Sequence, residues 1–405
     1  MVLHDIVRGL GAAGVGARRR ARPAAQAATG RVCGVRGTGR KRTGPATARR
    51  AVSRPVRRRH AAPPAGEIGF GAMAAADYPK IELHVHLEGA VSPEMLLAAA
   101  RRNGFALPVA TVEELAAFMR FRDFDHFIRA WFATTPALQT ERDYRELVVD
   151  YARRARAQGA VYLEAIFSPA DKLPQGIDLD VVFTGFTDGA QEARETVGIE
   201  VRLTPDITRG VDRDVARRVA EAAVRYRDRG VVALGLGGDE ANHPPEGYAE
   251  AFAIARDGGL GSVPHAGEVA GPASVRGALE ALRADRIRHG VRSVEDPGLV
   301  RELAARGIVL DVCVLSNVCL GVAPDVAGHP LGQLLDAGVR CTVNTDDPTF
   351  FNCDLAAEHA AARRLGADPR ALFEAGVAGA LCDEGTKARL RAIGDAADWP
   401  APAVA

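Results

Sequence analysis

Short apolar runs recur along most of the chain, each four to seven residues long. They are Ile81–His86, Val161–Phe167, Ile199–Leu203, Val231–Leu236, Ser262–His265, Arg286–His289, Ile308–Cys313 and Val339–Asn344. Runs this short predict buried strands rather than helices. From the second onward they start 22–38 residues apart. Between most of them lie Ala/Arg/Glu-rich stretches of helical type, such as "DVARRVAEAAVRYRDRG" and "PASVRGALEALRA". Strands alternating with helices predict parallel β-α units, and eight units predict a (β/α)8 barrel. An open doubly wound sheet is the other arrangement the pattern allows. The gap between the first two runs is longer. It contains "EELAAFMRFRDFDHFIRAWFATTPAL", which predicts a helical insert capping the barrel mouth.

The first 72 residues break this pattern. They are rich in Arg, Ala, Gly and Pro and lack the apolar periodicity that buries a core, so a disordered extension is expected over 1–72 and a folded domain over 73–405. Met73 is an alternative start, since patterned sequence begins just after it. Gly9-Leu-Gly-Ala-Ala-Gly14 formally matches a dinucleotide-binding turn. It has no strand before it and no acidic residue about 20 positions later, so that reading is excluded.

Charge sharpens the division. The 405-residue chain has a net charge of +1, but residues 1–72 hold 16 Lys and Arg against two acids. The rest carries 36 basic against 49 acidic side chains, which argues against nucleic acid as a partner. None of the six cysteines forms a C-x-x-C pair, so reduced structural thiols in a cytoplasmic protein are expected. No apolar stretch reaches 18 residues, and no membrane span is expected.

In barrels of this kind the chemistry sits at the carboxyl ends of the strands, and the polar residues gather there. The first run ends His84-Val-His86-Leu-Glu88 and the fourth leads into Gly237-Gly-Asp-Glu240. The fifth ends His265-Ala-Gly-Glu268, the sixth at His289-Gly290, and the eighth is followed by Asp346-Asp347. A single buried histidine is usually just a satisfied core residue, and Asp-Asp-Pro alone is usually a turn. Four of the ten histidines at one end of a barrel are not accounted for that way. His84 and His86 stand two apart on a strand and share a face. With His265 and one of the two aspartates they make three nitrogens and an oxygen, a set suited to Zn²⁺.

The stretches "PKIELHVHLEGAVSPEML", "GLGGDE", "PHAGE", "RIRHG", "SNV" and "NTDDP", in that order, resemble the adenosine deaminase family of metal-dependent hydrolases. The resemblance covers about Tyr78 to Ala392 and implies a (β/α)8 barrel with one catalytic zinc per chain. It implies His84, His86, His265 and Asp346 as zinc ligands. Glu268 would protonate N1 of a purine, and His289 would orient the attacking water and help deprotonate it. Asp347 would hydrogen-bond N7, Gly238 would donate its backbone N–H to N3, and Glu88 would lie near the sugar. The substrate so implied is a purine nucleoside, with adenosine or deoxyadenosine deaminated to the 6-oxo product and ammonia. Deamination of adenine, or of a modified adenosine such as aminodeoxyfutalosine, is the alternative; a further one is an impaired relative that binds nucleoside without turnover.

Two departures from the family pattern stand out. Arg288 replaces the glycine usual before the catalytic histidine, and Val314 replaces the proline usual after Cys313. Because neighbours alternate faces along a strand, Arg288 is expected to point away from His289. Cytidine-deaminase chemistry is excluded by the missing H-x-E…P-C-x-x-C pattern, and zincin chemistry by the missing H-E-x-x-H.

Overall fold

The computed structural model describes residues 78–401. The extension expected over 1–72, together with Met73 and Cys33, lies outside the described residues. The eight expected strands are all present: β1 Lys80–His86, β2 Ala160–Phe167, β3 Glu200–Thr208, β4 Ala233–Gly237, β5 Gly261–Ala266, β6 Arg286–His289, β7 Val309–Val312 and β8 Arg340–Val343. They pair in parallel in chain order. An additional parallel bridge, Val85 to Asp346, joins the two ends of the sheet. A nearly closed (β/α)8 barrel results, and the open-sheet alternative falls.

That seam uses few ladder bonds and many side chains. The His86 amide donates to the Asp346 carbonyl at 2.8 Å and the Asp346 amide to the His84 carbonyl at 3.1 Å. The Leu83 amide donates to Asn344 Oδ1 at 2.7 Å. Thr345 donates through both its amide and its hydroxyl to Glu82 Oε1, at 3.1 and 2.6 Å. β1 also carries a bulge: three residues, Glu82 to Val85, advance against two of β2, Leu163 to Ala165. Bulges of this kind re-aim side chains beside functional sites, and here the two residues that follow Leu83 and Val85 are the paired histidines.

The apolar core lies mostly between the strands and the surrounding helices, where Phe167, Phe183, Phe186 and Phe252 are fully buried. The barrel interior is different. Its largest fully buried side chains are Arg286 and Arg288. Arg286 binds Glu164 Oε2 at 2.7 Å, Asp311 Oδ2 at 2.5 Å and the Gly379 carbonyl at 2.6 Å. A charged layer therefore spans β2, β6 and β7 where branched apolar side chains are usual. This explains why β3 runs to Thr208, past the apolar stretch that ended at Leu203: its continuation, Thr204-Pro-Asp-Ile-Thr, carries polar groups that the charged interior needs.

The expected insert is three helices, Pro93–Asn103, Val112–Met119 and Phe124–Thr134, before the crossover helix Glu141–Ala157. A capping box at Thr111 and Glu114 starts the second of them. Phe127 packs on Phe350 and Phe351, and Trp131 on Phe350, just beyond Asp346-Asp347-Pro-Thr. The Phe121 amide donates to the Phe350 carbonyl at 2.7 Å. The insert is thus fastened to the end of β8, as expected of a cap. Among the described residues all cysteines are free, and no helix is long and apolar enough to cross a membrane.

Removing one partner of a buried ion pair leaves an uncompensated charge, at about 3–5 kcal/mol. Arg286→Met strands two carboxylates, so a loss of at least that size is expected in urea denaturation. A loss under about 1 kcal/mol, the range of an exposed pair, would show that Glu164 and Asp311 do not depend on Arg286.

Candidate active site

Four atoms converge at the carboxyl ends of β1, β5 and β8. His84 Nε2 lies 3.1 Å from His265 Nε2, and His86 Nε2 lies 3.2 Å from it. Asp346 Oδ1 lies 3.3 and 3.4 Å from the Nε2 atoms of His84 and His86. His84 Nδ1 donates to the Asp311 carbonyl at 3.3 Å and His265 Nδ1 to that of Leu236 at 2.9 Å. A carbonyl only accepts, so both Nδ1 atoms carry hydrogen. Burial holds all three rings well below the usual histidine range; neighbouring rings add to this, as does Arg288 for His84 and His265, while Asp346 opposes it at His86. In neutral rings protonated at Nδ1, the Nε2 lone pairs of His84 and His265 face each other.

Lone pairs in that arrangement need a cation between them. Tetrahedral zinc with ligand distances of about 2.0–2.1 Å places its ligand atoms about 3.3–3.4 Å apart, close to the spacings found. The residues present therefore fit a tetrahedral divalent metal. His289 forms a compact group of potential ligands with His84, His265 and Asp346, but its Nε2 lies 3.9 Å from Asp346 Oδ2 and 3.6 Å from Glu268 Oε2. It sits beside the four-atom cluster and faces the acid. Asp347 joins His86 and Asp346 in a second group.

Two of these residues hold backbone conformations that side-chain-bearing residues seldom adopt: φ is 59° at His289 and 64° at Asp346. Strain of this kind is typical of positions held by function. The turn at Asp346 sends its carboxylate one way and that of Asp347 another. Ser316 Oγ binds Asp346 Oδ2 at 2.5 Å, which leaves Oδ1 to the histidines.

Asp347 is buried, and its Oδ1 has no hydrogen-bond partner. Gly89 makes room for it, since a Cβ there would overlap the carboxylate. Burial raises the Asp347 carboxyl well above the usual range, and Asp346, Glu268 and Glu88 raise it further. Glu268 is raised in the same way by burial, then by Asp346 and Glu240. Glu88 accepts from the Ser168 amide at 3.0 Å through one oxygen; its other oxygen is buried and unpartnered, and burial lifts its carboxyl to about 7. Gly238 stands exposed at the lip just after β4, with φ 99°. All the residues singled out in the sequence are therefore at one end of the barrel. Orphaned polar atoms on Glu88 and Asp347, two of the expected substrate contacts, are the kind of group a ligand satisfies.

Sequence reading missed the supports of the site. Glu240 accepts from the amides of Gly267, Glu268, Val269 and Ala270, at 2.6–3.2 Å, and so shapes the loop that carries Glu268. Glu358 accepts from the Val314 and Leu315 amides at 2.9 and 3.0 Å. A proline at 314 would remove one of those donors, which gives the Val314 departure a structural use.

The expectation for Arg288 is corrected. Arg288 points into the barrel, fully buried, pairs with Asp206 and donates to Thr204 Oγ1 at 2.6 Å. The positive φ of His289 breaks the strand alternation, so residue 288 keeps the inward face it shares with Arg286 while His289 also turns to the site. Gly235 supplies the space: a Cβ there would overlap both Asp206 and Arg288. The second oxygen of Asp206 lies 3.3 Å from His265 Nδ1, so the pair underlies one of the converging imidazoles.

A family model described as adenosine deaminase matches residues 79–395. The chain belongs to the adenosine deaminase family. It is 50% identical over 329 residues to an aminodeoxyfutalosine deaminase of Acidothermus cellulolyticus, across 80% of this chain and 92% of that protein. With an adenine deaminase of Rhodospirillum rubrum it shares 39% identity over 273 residues, 67% of this chain and 81% of that one. A crystal structure of an amidohydrolase from Burkhoderia ambifaria with bound Zn superposes with a TM-score of 0.72 at 28% identity, covering 82% of this chain and 95% of that one. The protein is thus an enzyme of the deaminase and amidohydrolase type, with a potential metal-binding cluster of histidines and aspartate.

Arg288→Gly, which restores the residue usual in the family, is expected to destabilise the protein by about 3–5 kcal/mol by stranding the buried Asp206. Adding Asp206→Asn to Arg288→Gly should recover part of that loss. Unchanged thermal and urea stability in the single variant would mean that the pair does not hold the barrel interior.

Proposed function

We propose that the enzyme hydrolytically deaminates the 6-amino group of a modified adenosine of the aminodeoxyfutalosine type. Adenosine itself is the less favoured substrate. The observation that carries this is the 50% identity, across nearly the whole of the relative's length, to an aminodeoxyfutalosine deaminase. Adenine is the second reading, favoured by the identity to an adenine deaminase. Both are alternatives already open in the sequence, and "GGDE" carries too little information to decide for plain nucleosides.

His84, His86, His265 and Asp346 would hold one zinc ion. When bound, the metal supplies Lewis acidity, which can bring the pKa of water from 15.7 to about 7. The chain supplies the rest. His289 orients the attacking water. Glu268, kept protonated chiefly by burial, which a bound metal leaves in place, gives its proton to N1 as electrons move onto the ring. Asp347, also held protonated, can donate to N7, which only accepts. The Gly238 amide faces N3, and the free oxygen of Glu88 takes a sugar hydroxyl. Water adds at C6; one of its protons passes to the amino group, which leaves as ammonia, the other restores Glu268, and a 6-oxopurine with hydrogen on N1 remains.

The test is a single panel. Ammonia release from aminodeoxyfutalosine, adenine, adenosine and deoxyadenosine is measured with metal quantified in the same preparation. About one zinc per chain and fastest turnover of aminodeoxyfutalosine are expected. Fastest turnover of adenine installs the second reading; no stoichiometric metal, or no release from any of the four, overturns the assignment.

Glu268→Gln should retain metal and lose about 10²–10⁴-fold in kcat, the usual contribution of a general acid. Turnover near that of the unsubstituted enzyme would show that another group protonates N1.

A further inference from the structure

A chain of buried hydrogen bonds runs from the backbone to His289, and its direction can be read without ambiguity. The Leu331 amide donates to His329 Nδ1 at 3.0 Å. A backbone N–H can only donate, so His329 Nδ1 carries a lone pair. The ring is buried, and burial pushes its pKa down to about 4, so it is neutral with its hydrogen on Nε2. His329 Nε2 lies 3.1 Å from Asn317 Oδ1 and donates to it. That fixes the orientation of the Asn317 amide, whose nitrogen lies 3.2 Å from His289 Nδ1. An amide nitrogen only donates. His289 Nδ1 therefore carries a lone pair.

We infer that His329 and Asn317 are positioning residues that hold neutral His289 as its Nε2–H tautomer, so that His289 serves the reaction as a hydrogen-bond donor to the attacking oxygen. With hydrogen on Nε2 it has no lone pair there to accept a proton from water. The role expected from the family resemblance, helping to deprotonate the water, is thereby replaced by one of holding and polarising. Carboxyl oxygens, which can accept, face Nε2: those of Glu268 at 3.6 Å and Asp346 at 3.9 Å. Asn317 and His289 are essentially inaccessible and His329 nearly so, which leaves little room for water to substitute for a link in the chain. The identity of the reacting oxygen rests on the deaminase reading; the tautomer does not.

The experiment is long-range proton–nitrogen NMR on the full chain labelled with ¹⁵N-histidine, with His289 assigned by difference against His289→Gln. No substrate is needed, so failure of the deaminase reading in the substrate panel and failure of the tautomer assignment are separate results. The expected spectrum shows Nε2 of His289 protonated and Nδ1 bare. Asn317→Asp should invert it, because a carboxylate can accept from both rings and would draw the hydrogen to Nδ1. In that variant kcat should fall by about 10²–10³-fold, the usual effect of losing one preorganised donor, with KM and metal content little changed. His329→Gln, whose amide nitrogen can donate to Asn317 Oδ1 in place of the ring, should keep the original tautomer, while His329→Leu should not. A bare Nε2 in the unsubstituted protein overturns the proposal, as does an unchanged tautomer in folded Asn317→Asp. Should Asn317→Asp fail to fold, the parent spectrum and the two His329 variants still decide.

Discussion

Two imidazole lone pairs aimed at each other across 3.1 Å, with a third ring and a carboxylate oxygen at the same spacing, are the constraint on which the rest of the structure turns. Such a cluster repels itself unless a cation occupies it, and it stays neutral only because burial disfavours protonation. Every ring in it must be held from behind. Backbone carbonyls of Asp311 and Leu236 hold two, and Ser316 holds the aspartate. Two of the ligand-bearing segments, β1 and the end of β8, meet at the seam where the barrel closes, so closure of the fold and assembly of the site are the same event.

Below the site the barrel is filled with ions. Arg286 with Glu164 and Asp311, then Arg288 with Asp206 and Thr204, form two charged layers under the imidazoles. Buried pairs of this kind seldom stabilise more than apolar packing would, because desolvation cancels much of the attraction. What they do supply is direction: a guanidinium fork accepts carboxylates only in defined places. The upper layer brings Asp206 Oδ2 to 3.3 Å from His265 Nδ1, whose hydrogen goes to the Leu236 carbonyl, so a charge one layer down lies beside a candidate ligand.

Above the site the acids dominate. Glu88, Asp347 and Glu268 lie close enough that Asp347 is raised by both of the others, and two of the three keep an unpartnered oxygen. Protonated carboxyls can donate as well as accept. In the function proposed above, Glu268 and Asp347 would use that ability toward N1 and N7 of a purine, atoms that only accept. The helical insert is fastened to Phe350 and Phe351, just beyond Asp347, and burial disfavours the charged forms of Asp347 and Glu268.

The sequence by itself determined the eight parallel units, the long insert, and the placement of the histidines and acids at one end of the barrel. These are properties of spacing: apolar runs set strands, and a residue at the end of a barrel strand has one place to go. It misjudged Arg288, because face alternation assumes regular backbone and His289 has positive φ. It stopped β3 at Leu203, because Thr204 and Asp206 are polar and only the facing arginine makes their burial sensible. Glu358 and His329 escaped it altogether, and Glu240 and Asn317 stood in its motifs without a role. Their work is done through backbone amides and ring nitrogens 12 to 44 residues away in the chain, and a partner at that distance leaves no period or motif in the sequence. Only the folded chain decides which nitrogen of each histidine is free, because hydrogen-bond direction is a property of contacts and not of residue type.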